Sequence, residues 1–263
     1  MKIACVIPAR LNSTRFPKKI LLQLNGKPLL QWVWEAAMRT TFFSDVLFAI
    51  DSEETACVIK TFGGRYVMTS KQCKNGTERL IEVMRSGKID AEVWVNWQAD
   101  EPFINPKMIQ ELLQSCDDDI TKNYSDIWTL KKRITTQEDM QSPNVVKVVC
   151  DVQQRALYFS RSTIPFYRDE INWSKKIVYK HVGLYAYTTD VLKKIIQLPK
   201  SNFLEDAECL EQLRFLYHNI RIKAHETKYE IVGIDTPEDF KKAQMLVCDQ
   251  LKIQSDFQGD FHV

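Results

Sequence analysis

The sequence predicts an α/β fold, built on a mostly parallel (mixed) central sheet with helices on both faces. Three observations carry that reading. Apolar runs of strand length alternate with amphipathic helical stretches through the first hundred residues, a βαβαβαβ rhythm. The runs are continuous, as in Val46-Leu47-Phe48-Ala49-Ile50, which suits strands covered on both faces. Polar or charged segments follow three of them directly: Arg10 to Lys19, Asp51, and Gln98 to Asp100.

The elements follow in order. Lys2–Pro8 reads as the first strand. Pro28–Arg39 reads as a helix, with Leu29, Leu30, Val33 and Ala37 at helical spacing. Val46–Ile50 is the second strand. Ser52–Thr61 is a helix with Ser52 as its cap and Glu53 and Glu54 favourable in its first turn. Arg65–Met68 is a short strand after Gly63-Gly64, Thr77–Ser86 a helix and Glu92–Trp97 a strand, with Trp94 and Trp97 assigned to the core. The second half is mixed. Strands are predicted over Ile127–Arg133, Val145–Cys150, Ala156–Phe159, Val182–Tyr187 and Ile220–Ala224, and helices over Thr189–Leu198 and Asp206–Tyr217. A closing helix is predicted over Thr236–Gln250, with Thr236 or Asp235 as cap and Pro237 at its first position.

With 263 residues the chain can bury a large core. No linker rich in Gly, Ser or Pro divides it. The expected organisation is one domain over 1–250, with halves 1–125 and 126–230, a return to the core over 231–250 and a loose tail over 251–263. A net charge of +2 gives no argument for nucleic acid. No apolar run approaches the length of a membrane span, and the N-terminal run is too short for a signal peptide. The seven cysteines are odd in number, scattered and free of C-x-x-C pairs, so reduced thiols in a cytoplasmic compartment are expected. The four histidines show no metal-ligand spacing, so carboxylates should hold any metal.

In open parallel sheets ligands bind at the carboxyl ends of the strands. That rule sets Arg10, Arg15, Lys18, Lys19 and the hydroxyls of Ser13 and Thr14 on one side of a cleft, with Asp51 and Asp100 on the other. Guanidinium groups fork onto phosphate oxygens, ammonium groups act as point charges, and Mg²⁺ takes one or two carboxylates plus phosphate oxygens. The pattern is a nucleoside triphosphate site with a metal. It is not a P-loop, since neither G-x-x-x-x-G-K-[ST] nor G-x-G-x-x-G occurs. Asn75-Gly76-Thr77-Glu78-Arg79 is a helix start that can offer free N–H groups to a base or phosphate.

Further segments complete the pattern: Ser142-Pro143-Asn144-Val145-Val146-Lys147-Val148-Val149, Ala156-Leu157-Tyr158-Phe159-Ser160-Arg161-Ser162-Thr163-Ile164-Pro165, Lys180-His181-Val182-Gly183-Leu184-Tyr185-Ala186-Tyr187, Leu204-Glu205-Asp206-Ala207-Glu208-Cys209-Leu210-Glu211-Gln212-Leu213-Arg214 and Gly233-Ile234-Asp235-Thr236-Pro237-Glu238-Asp239. In order and approximate spacing, from Ile3 to Asp239, the chain resembles the 3-deoxy-manno-octulosonate (Kdo) cytidylyltransferases. P-A-R-x-x-S-T-R-x-P alone points to cytidylyltransferases at large. A-L-Y-F-S-R, E-Q-L-R and D-T-P-E-D narrow it to the Kdo enzymes.

The resemblance implies a nucleotide-diphospho-sugar transferase-like fold. Its first half would bind nucleotide, and its second half would form a smaller lobe for sugar binding and dimerisation. It implies transfer of CMP from CTP to the anomeric hydroxyl of Kdo, with Mg²⁺, in a homodimer serving lipopolysaccharide synthesis. By similarity Asp100 and Asp235 are metal ligands, and Arg10 and Lys19 share the catalytic role with them. Ala9, Arg10, Ser13, Arg15 and Lys19 surround the triphosphate, and Gly76, Thr77 and Arg79 the cytosine and ribose. Gln98, Arg161, His181, Glu211 and Gln212 take the sugar, whose carboxylate and hydroxyls suit an arginine, a histidine and an amide.

Each assignment has a plainer competitor: Asp235 as a helix cap, His181 as an ordinary strand histidine, Glu211-Gln212 as helix surface. The chain also departs from the family pattern. Ala99 replaces the usual glycine before the metal aspartate, Phe16-Pro17-Lys18-Lys19-Ile20 replaces L-P-G-K-P, and Ile50 replaces the threonine of A-T-D. Ala99 is expected to forbid a positive φ, and Lys18 to add charge to the phosphate loop. Alternative readings are a cytidylyltransferase for 8-amino-Kdo or another acidic sugar, or a catalytically weak nucleotide-binding relative.

Overall fold

The computed structural model describes residues 1–12, 16–169, 175–231 and 233–247. The chain forms two compact units. Unit 1 holds residues 1–4, 84–96 and 105–230; unit 2 holds 5–83, 97–104 and the described residues from 231 on.

Unit 2 carries most of strand β1 (Ile3–Ala9), buried at all seven positions. Burial of an aliphatic side chain such as Val6 or Ile7 stabilises by about 1.5–3 kcal/mol, so a charge at either position is incompatible with the strand. Burial also pushes the Cys5 thiol up, out of the reactive range. A small hairpin, β2 (Gln23–Leu24) and β3 (Lys27–Pro28), leads into α1 (Leu29–Met38). Helix α1 buries Leu29, Leu30, Val33, Ala36 and Ala37, the stripe its spacing predicts. Trp34 stacks on Phe48 of β4 (Asp45–Ile50) with centroids 5.7 Å apart. Helix α2 (Glu53–Thr61) begins where expected, the Ser52 hydroxyl accepting from Glu54 N at 3.1 Å. Strand β5 (Tyr66–Met68) lies parallel to β4, Phe48 opposite Tyr66. At the start of α3 (Gly76–Arg85), Asn75 Oδ1 accepts from Glu78 N while Glu78 Oε2 accepts from Lys74 N, a reciprocal cap.

Residues 237–247 are helical, and the rest of the expected closing helix, through 250, lies outside the described residues. Its inner face, Ala243 and Val247, packs with Ile234, Leu24 and Leu29, and with Phe16 and Phe240 at the edge.

Unit 1 is antiparallel at its centre. Strand β10 (Tyr179–Thr188) runs antiparallel to β6 (Val93–Asn96), β7 (Ile127–Arg133) and β8 (Lys147–Cys150). Strand β8 also pairs with β9 (Ala156–Ser160), and β11 (Ile222–Glu226) lies parallel to β7. The β10–β7 register jumps from Val182 opposite Leu130 to Tyr185 opposite Thr129, a bulge at Gly183-Leu184. Trp94 and Trp97 are buried as expected.

Helices α4 (Pro106–Leu113), α5 (Cys116–Thr121) and α6 (Gln137–Gln141) fall in stretches where the sequence reading placed no element. The first had a legible signal, Asn105 capping Lys107 N with Pro106 behind it. Helix α7 (Thr189–Gln197) stands as predicted. The single helix expected over Asp206–Tyr217 is two: α8 (Phe203–Glu208) and α9 (Gln212–Tyr217). Cys209 ends the first in the left-handed region, φ 51°, breaking the helical path. Among the described residues no helix is long and apolar enough to cross a membrane. The six described cysteines are free thiols.

Candidate active site

The site grows from the end of β1. Trp97 N–H donates to Val6 O at 3.1 Å, its indole Nε1 donates to Glu101 O at 3.0 Å, and Glu101 N–H donates to Gln98 O at 3.1 Å. These bonds fold residues 97–101 into a tight turn that presents Asp100. Ile234 N–H donates to Asp100 O at 2.9 Å, bringing Asp235 alongside. The cap of the closing helix is Thr236, whose hydroxyl accepts from Asp239 N while Asp239 Oδ2 accepts from Thr236 Oγ1 and from the amides of Asp235 and Thr236. Asp235 therefore leaves capping to its neighbour, and its carboxylate faces Lys19.

A single 3₁₀ turn, Lys19–Leu21, supplies the third member. Lys19 Nζ donates to Asp100 Oδ2 at 2.5 Å and to Asp235 Oδ1 at 2.7 Å. The Lys19 side chain is 8% exposed, Asp100 27% and Asp235 41%. Burial works to lower the Lys19 pKa, but the two carboxylates outweigh it and hold the ammonium above its ordinary value. The neighbouring Glu101 Oε2 is buried with no hydrogen-bond partner among the described residues. Burial, aided by Asp100 and Asp235 and opposed by Lys19, pushes Glu101 up to about 8, so this carboxyl is held neutral near pH 7.

Lys19, Asp100 and Asp235 line a cavity of about 240 Å³ together with Arg10, Asn12, Lys74, Gly76, Arg79, Gln98 and Ala99. Arg79 forms part of its wall but is braced. Its Nη2 donates to Asp51 Oδ2 at 2.7 Å and its Nη1 to Thr69 Oγ1 at 2.8 Å, and both Arg79 and Asp51 are buried. Asp51 Oδ1 accepts from Leu11 N–H at 3.0 Å. Asp51, expected on the cleft rim, is thus a buried brace and not one of the lining residues. Ala9 is buried at the end of β1, and Thr77 is buried in α3. Ser13 and Arg15 lie outside the described residues.

Two expectations about departures are corrected. Lys18 takes the left-handed conformation, φ 56°, but its ammonium pairs with Glu54 at 2.8 and 2.9 Å and does not line the cavity. Ala99 is not among the described residues with positive φ, so its methyl meets no backbone conflict there.

Among the described residues no group of three or more His, Cys, Asp or Glu side chains forms a protein-only cage. Two carboxylate oxygens converging on one cationic nitrogen beside basic side chains suit a hard cation that completes its shell with phosphate oxygens and water.

Of the expected sugar residues, Gln98 lines the unit 2 cavity, and Arg161, His181, Glu211 and Gln212 lie in unit 1. His181 Nε2 is 3.0 Å from Thr129 Oγ1, and its ring meets Phe159 edge-on at 5.1 Å and Tyr185 at 5.3 Å. Burial drops the His181 pKa to about 3, so the imidazole is neutral in the physiological range. The Tyr185 hydroxyl is buried without a hydrogen-bond partner among the described residues, and its pKa is raised by burial with Tyr187 and Glu211 adding to it. Glu211 accepts from Arg214 Nη2 at 3.0 Å; Arg214 is itself buried beside Glu205. Gln212 is buried at the start of α9. Arg161, half-buried after β9, gives Nε to Glu208 O at 2.7 Å and Nη1 to Pro143 O at 3.0 Å. Glu101, Tyr185, Glu208 and Arg214 were not singled out for roles from sequence. All four sat inside recognised segments, Glu101 beside Asp100, Tyr185 in the Lys180–Tyr187 run, and Glu208 and Arg214 in the Leu204–Arg214 run, but none was given a role there.

The cytidylyltransferase family, by its own description, matches residues 4–222. The chain is therefore a member of the cytidylyltransferases. Among curated proteins it is 45% identical to the 3-deoxy-manno-octulosonate cytidylyltransferase of Geobacter sulfurreducens over 92% of this chain and 98% of that one. It is 46% identical to the same-named protein of Geotalea uraniireducens over 92% and 97%. A solved CMP:2-keto-3-deoxy-manno-octonic acid synthetase complexed with CTP has 40% identity and a TM-score of 0.87, covering 95% of this chain and 100% of its own. The 4-diphosphocytidyl-2C-methyl-D-erythritol synthase of Anaerococcus prevotii, at 12% identity and a TM-score of 0.60, shares the fold alone. Within the cytidylyltransferases, the chain belongs to the 3-deoxy-manno-octulosonate cytidylyltransferase family.

Proposed function

We propose that this protein transfers CMP from CTP to the anomeric hydroxyl of Kdo, releasing pyrophosphate and supplying CMP-Kdo for lipopolysaccharide synthesis. The observation that carries it is the Asp100–Lys19–Asp235 cluster in a basic cavity at the end of β1. CTP is the nucleotide, with Arg10 and Lys19 on its phosphates and the α3 start around Gly76 toward the base and ribose. Asp100 and Asp235 hold Mg²⁺, which neutralises charge on the triphosphate when bound. Lys19 spends two of its three N–H bonds on the carboxylates and has the third for a phosphate oxygen. The paired carboxylates keep that lysine protonated, so it supplies positive charge as the leaving pyrophosphate gains negative charge. Gln98 offers an amide to the sugar from the cavity wall. Arg161 receives the sugar carboxylate, and His181, Glu211 and Gln212 take hydroxyls. Neutral His181 can donate one hydrogen bond and accept another, which fits a polyol. The chemistry is in-line displacement at the α-phosphate, where positioning and charge stabilisation do the catalysis.

The working form is a homodimer formed by the second half. Exposed Leu157, Phe166 and Phe203, all in unit 1, support an apolar contact there. Free thiols are in keeping with a cytoplasmic location.

Pyrophosphate release from purified protein, with CTP, Kdo and Mg²⁺ each omitted in turn, tests the reading. Release is expected only when all three are present. Release without Kdo, or faster release with 8-amino-Kdo, would overturn the sugar assignment. CTP binding without release under any sugar would make the chain a nucleotide-binding relative.

A further inference from the structure

We propose that Glu208 and Lys147 are positioning residues that fix the Arg161 guanidinium and leave its charge available to the acidic sugar. This rests on the reading of Arg161 as the carboxylate-binding residue.

Glu208 is the last residue of α8. Its Oε1 accepts from Ser160 Oγ at 2.6 Å and its Oε2 from Arg161 N–H at 2.8 Å. Its main-chain oxygen accepts from Arg161 Nε at 2.7 Å. One residue thereby holds both the backbone and the side chain of Arg161. Lys147, on β8, is fully buried, 0% exposed. Its ammonium donates to Arg161 O at 2.6 Å, Val145 O at 2.7 Å and Ser142 O at 2.9 Å. All three of its N–H bonds are used, and none goes to a carboxylate. Burial lowers its pKa, with Glu208 acting in the opposite sense and Arg161 adding to the drop. A buried lysine is costly unless its hydrogen bonds are satisfied, and here they tie the 142–145 turn to the carbonyl of Arg161.

The arrangement of charge is the point. Arg161 Nε and Nη1 meet neutral carbonyls, those of Glu208 and Pro143. The Glu208 carboxylate is spent on a hydroxyl and an amide, and its charge is offset by Lys147. Among the described residues Arg161 Nη2 has no hydrogen-bond partner. The guanidinium is thus oriented at two donors without a carboxylate hydrogen-bonded to it. Such a group keeps its attraction for an incoming anion and loses little freedom when that anion binds.

The test is a double-mutant cycle read as separate KM values for sugar and CTP. Arg161→Lys serves as reference and should raise the sugar KM at least about tenfold, since a lysine cannot reproduce the fork. Glu208→Gln should raise the sugar KM about three- to tenfold with the CTP KM unchanged. The double variant should be no worse than Arg161→Lys alone, because Glu208 acts through Arg161. Ser160→Ala loosens the same carboxylate more gently and keeps the test open if Glu208→Gln does not fold; a rise of about twofold in the sugar KM alone is expected. An unchanged sugar KM in Arg161→Lys would overturn the reading of Arg161 and this proposal with it. A raised sugar KM in Arg161→Lys with none in Glu208→Gln or Ser160→Ala, or additive effects in the double variant, would overturn the positioning role alone.

Discussion

In unit 2, Lys19 meets Asp100 and Asp235, and Arg79 meets Asp51. In unit 1, Arg161 and Lys147 meet main-chain carbonyls. The first arrangement cancels charge locally and can exchange partners: carboxylates that hold an ammonium can also hold a metal ion, and the ammonium can turn a donor to phosphate. The second orients the Arg161 guanidinium on neutral carbonyls with no carboxylate hydrogen-bonded to it, which suits recognition of a fixed anion. Turnover should therefore fail when unit 2 carboxylates change, whereas substitutions around Arg161 should act on sugar affinity.

The largest effect is expected from Asp100→Asn, which removes one of the two carboxylate charges proposed to hold the metal. Pyrophosphate release should fall by about 10³-fold or more with an unchanged far-UV spectrum, in line with losses on removing groups that stabilise transition-state charge. Retained turnover would show that Asp100 is not a metal ligand. Lys19→Met comes next. It should lower kcat by about 10²- to 10³-fold. It should also reduce stability, measured by urea unfolding, because two partly buried carboxylates lose their common partner.

His181→Gln sharpens the contrast through pH. The folded-state pKa of about 3 lies below the ordinary 6.5, so between those values the unfolded chain binds a proton that the native one does not. Stability rises with pH across that window and falls as pH drops through it. The variant should lose this part of the acid sensitivity, leaving a flatter curve between about pH 3 and 6.5, set partly by the similarly depressed His225. A curve of unchanged slope would place His181 in a solvated setting.

The smallest effect is expected at Lys18→Gly. It relieves a left-handed residue worth about 1 kcal/mol and removes an exposed ion pair worth about 0.2–1 kcal/mol. Since glycine also adds freedom to the unfolded chain, the net change in unfolding free energy should stay within about 0.5 kcal/mol. Turnover should be unchanged, because the Lys18 ammonium serves Glu54.

Most of the fold was legible because the strands of the first hundred residues are continuous apolar runs, and caps such as Ser52 use a side chain of known habit. The break at Cys209 was not. Residues 206–217 read as one helix by composition, and no propensity marks a cysteine for the left-handed region. Asp235 was legible as a choice between cap and ligand; hydrogen bonding settles the capping half in favour of Thr236 and Asp239. The roles of Glu208 and Lys147 were not legible, although both sit in recognised segments, for a different reason. Charged residues usually belong to the surface, and their partners here are mostly main-chain atoms, with the Ser160 hydroxyl, up to 48 positions away, a pairing that no local spacing shows. The burial that neutralises Glu101 and His181 likewise depends on packing that no local window contains.

On the proposed function, the Asp100–Lys19–Asp235 cavity holds CTP through a metal. Calorimetric titration of CTP into the protein, with and without Mg²⁺, and into the Asp100→Asn/Asp235→Asn variant, addresses it most directly. The expected result is Mg²⁺-dependent binding to the native protein that loses its Mg²⁺ dependence in the variant. Equal binding with and without Mg²⁺, or a variant that keeps the full dependence, would contradict the account.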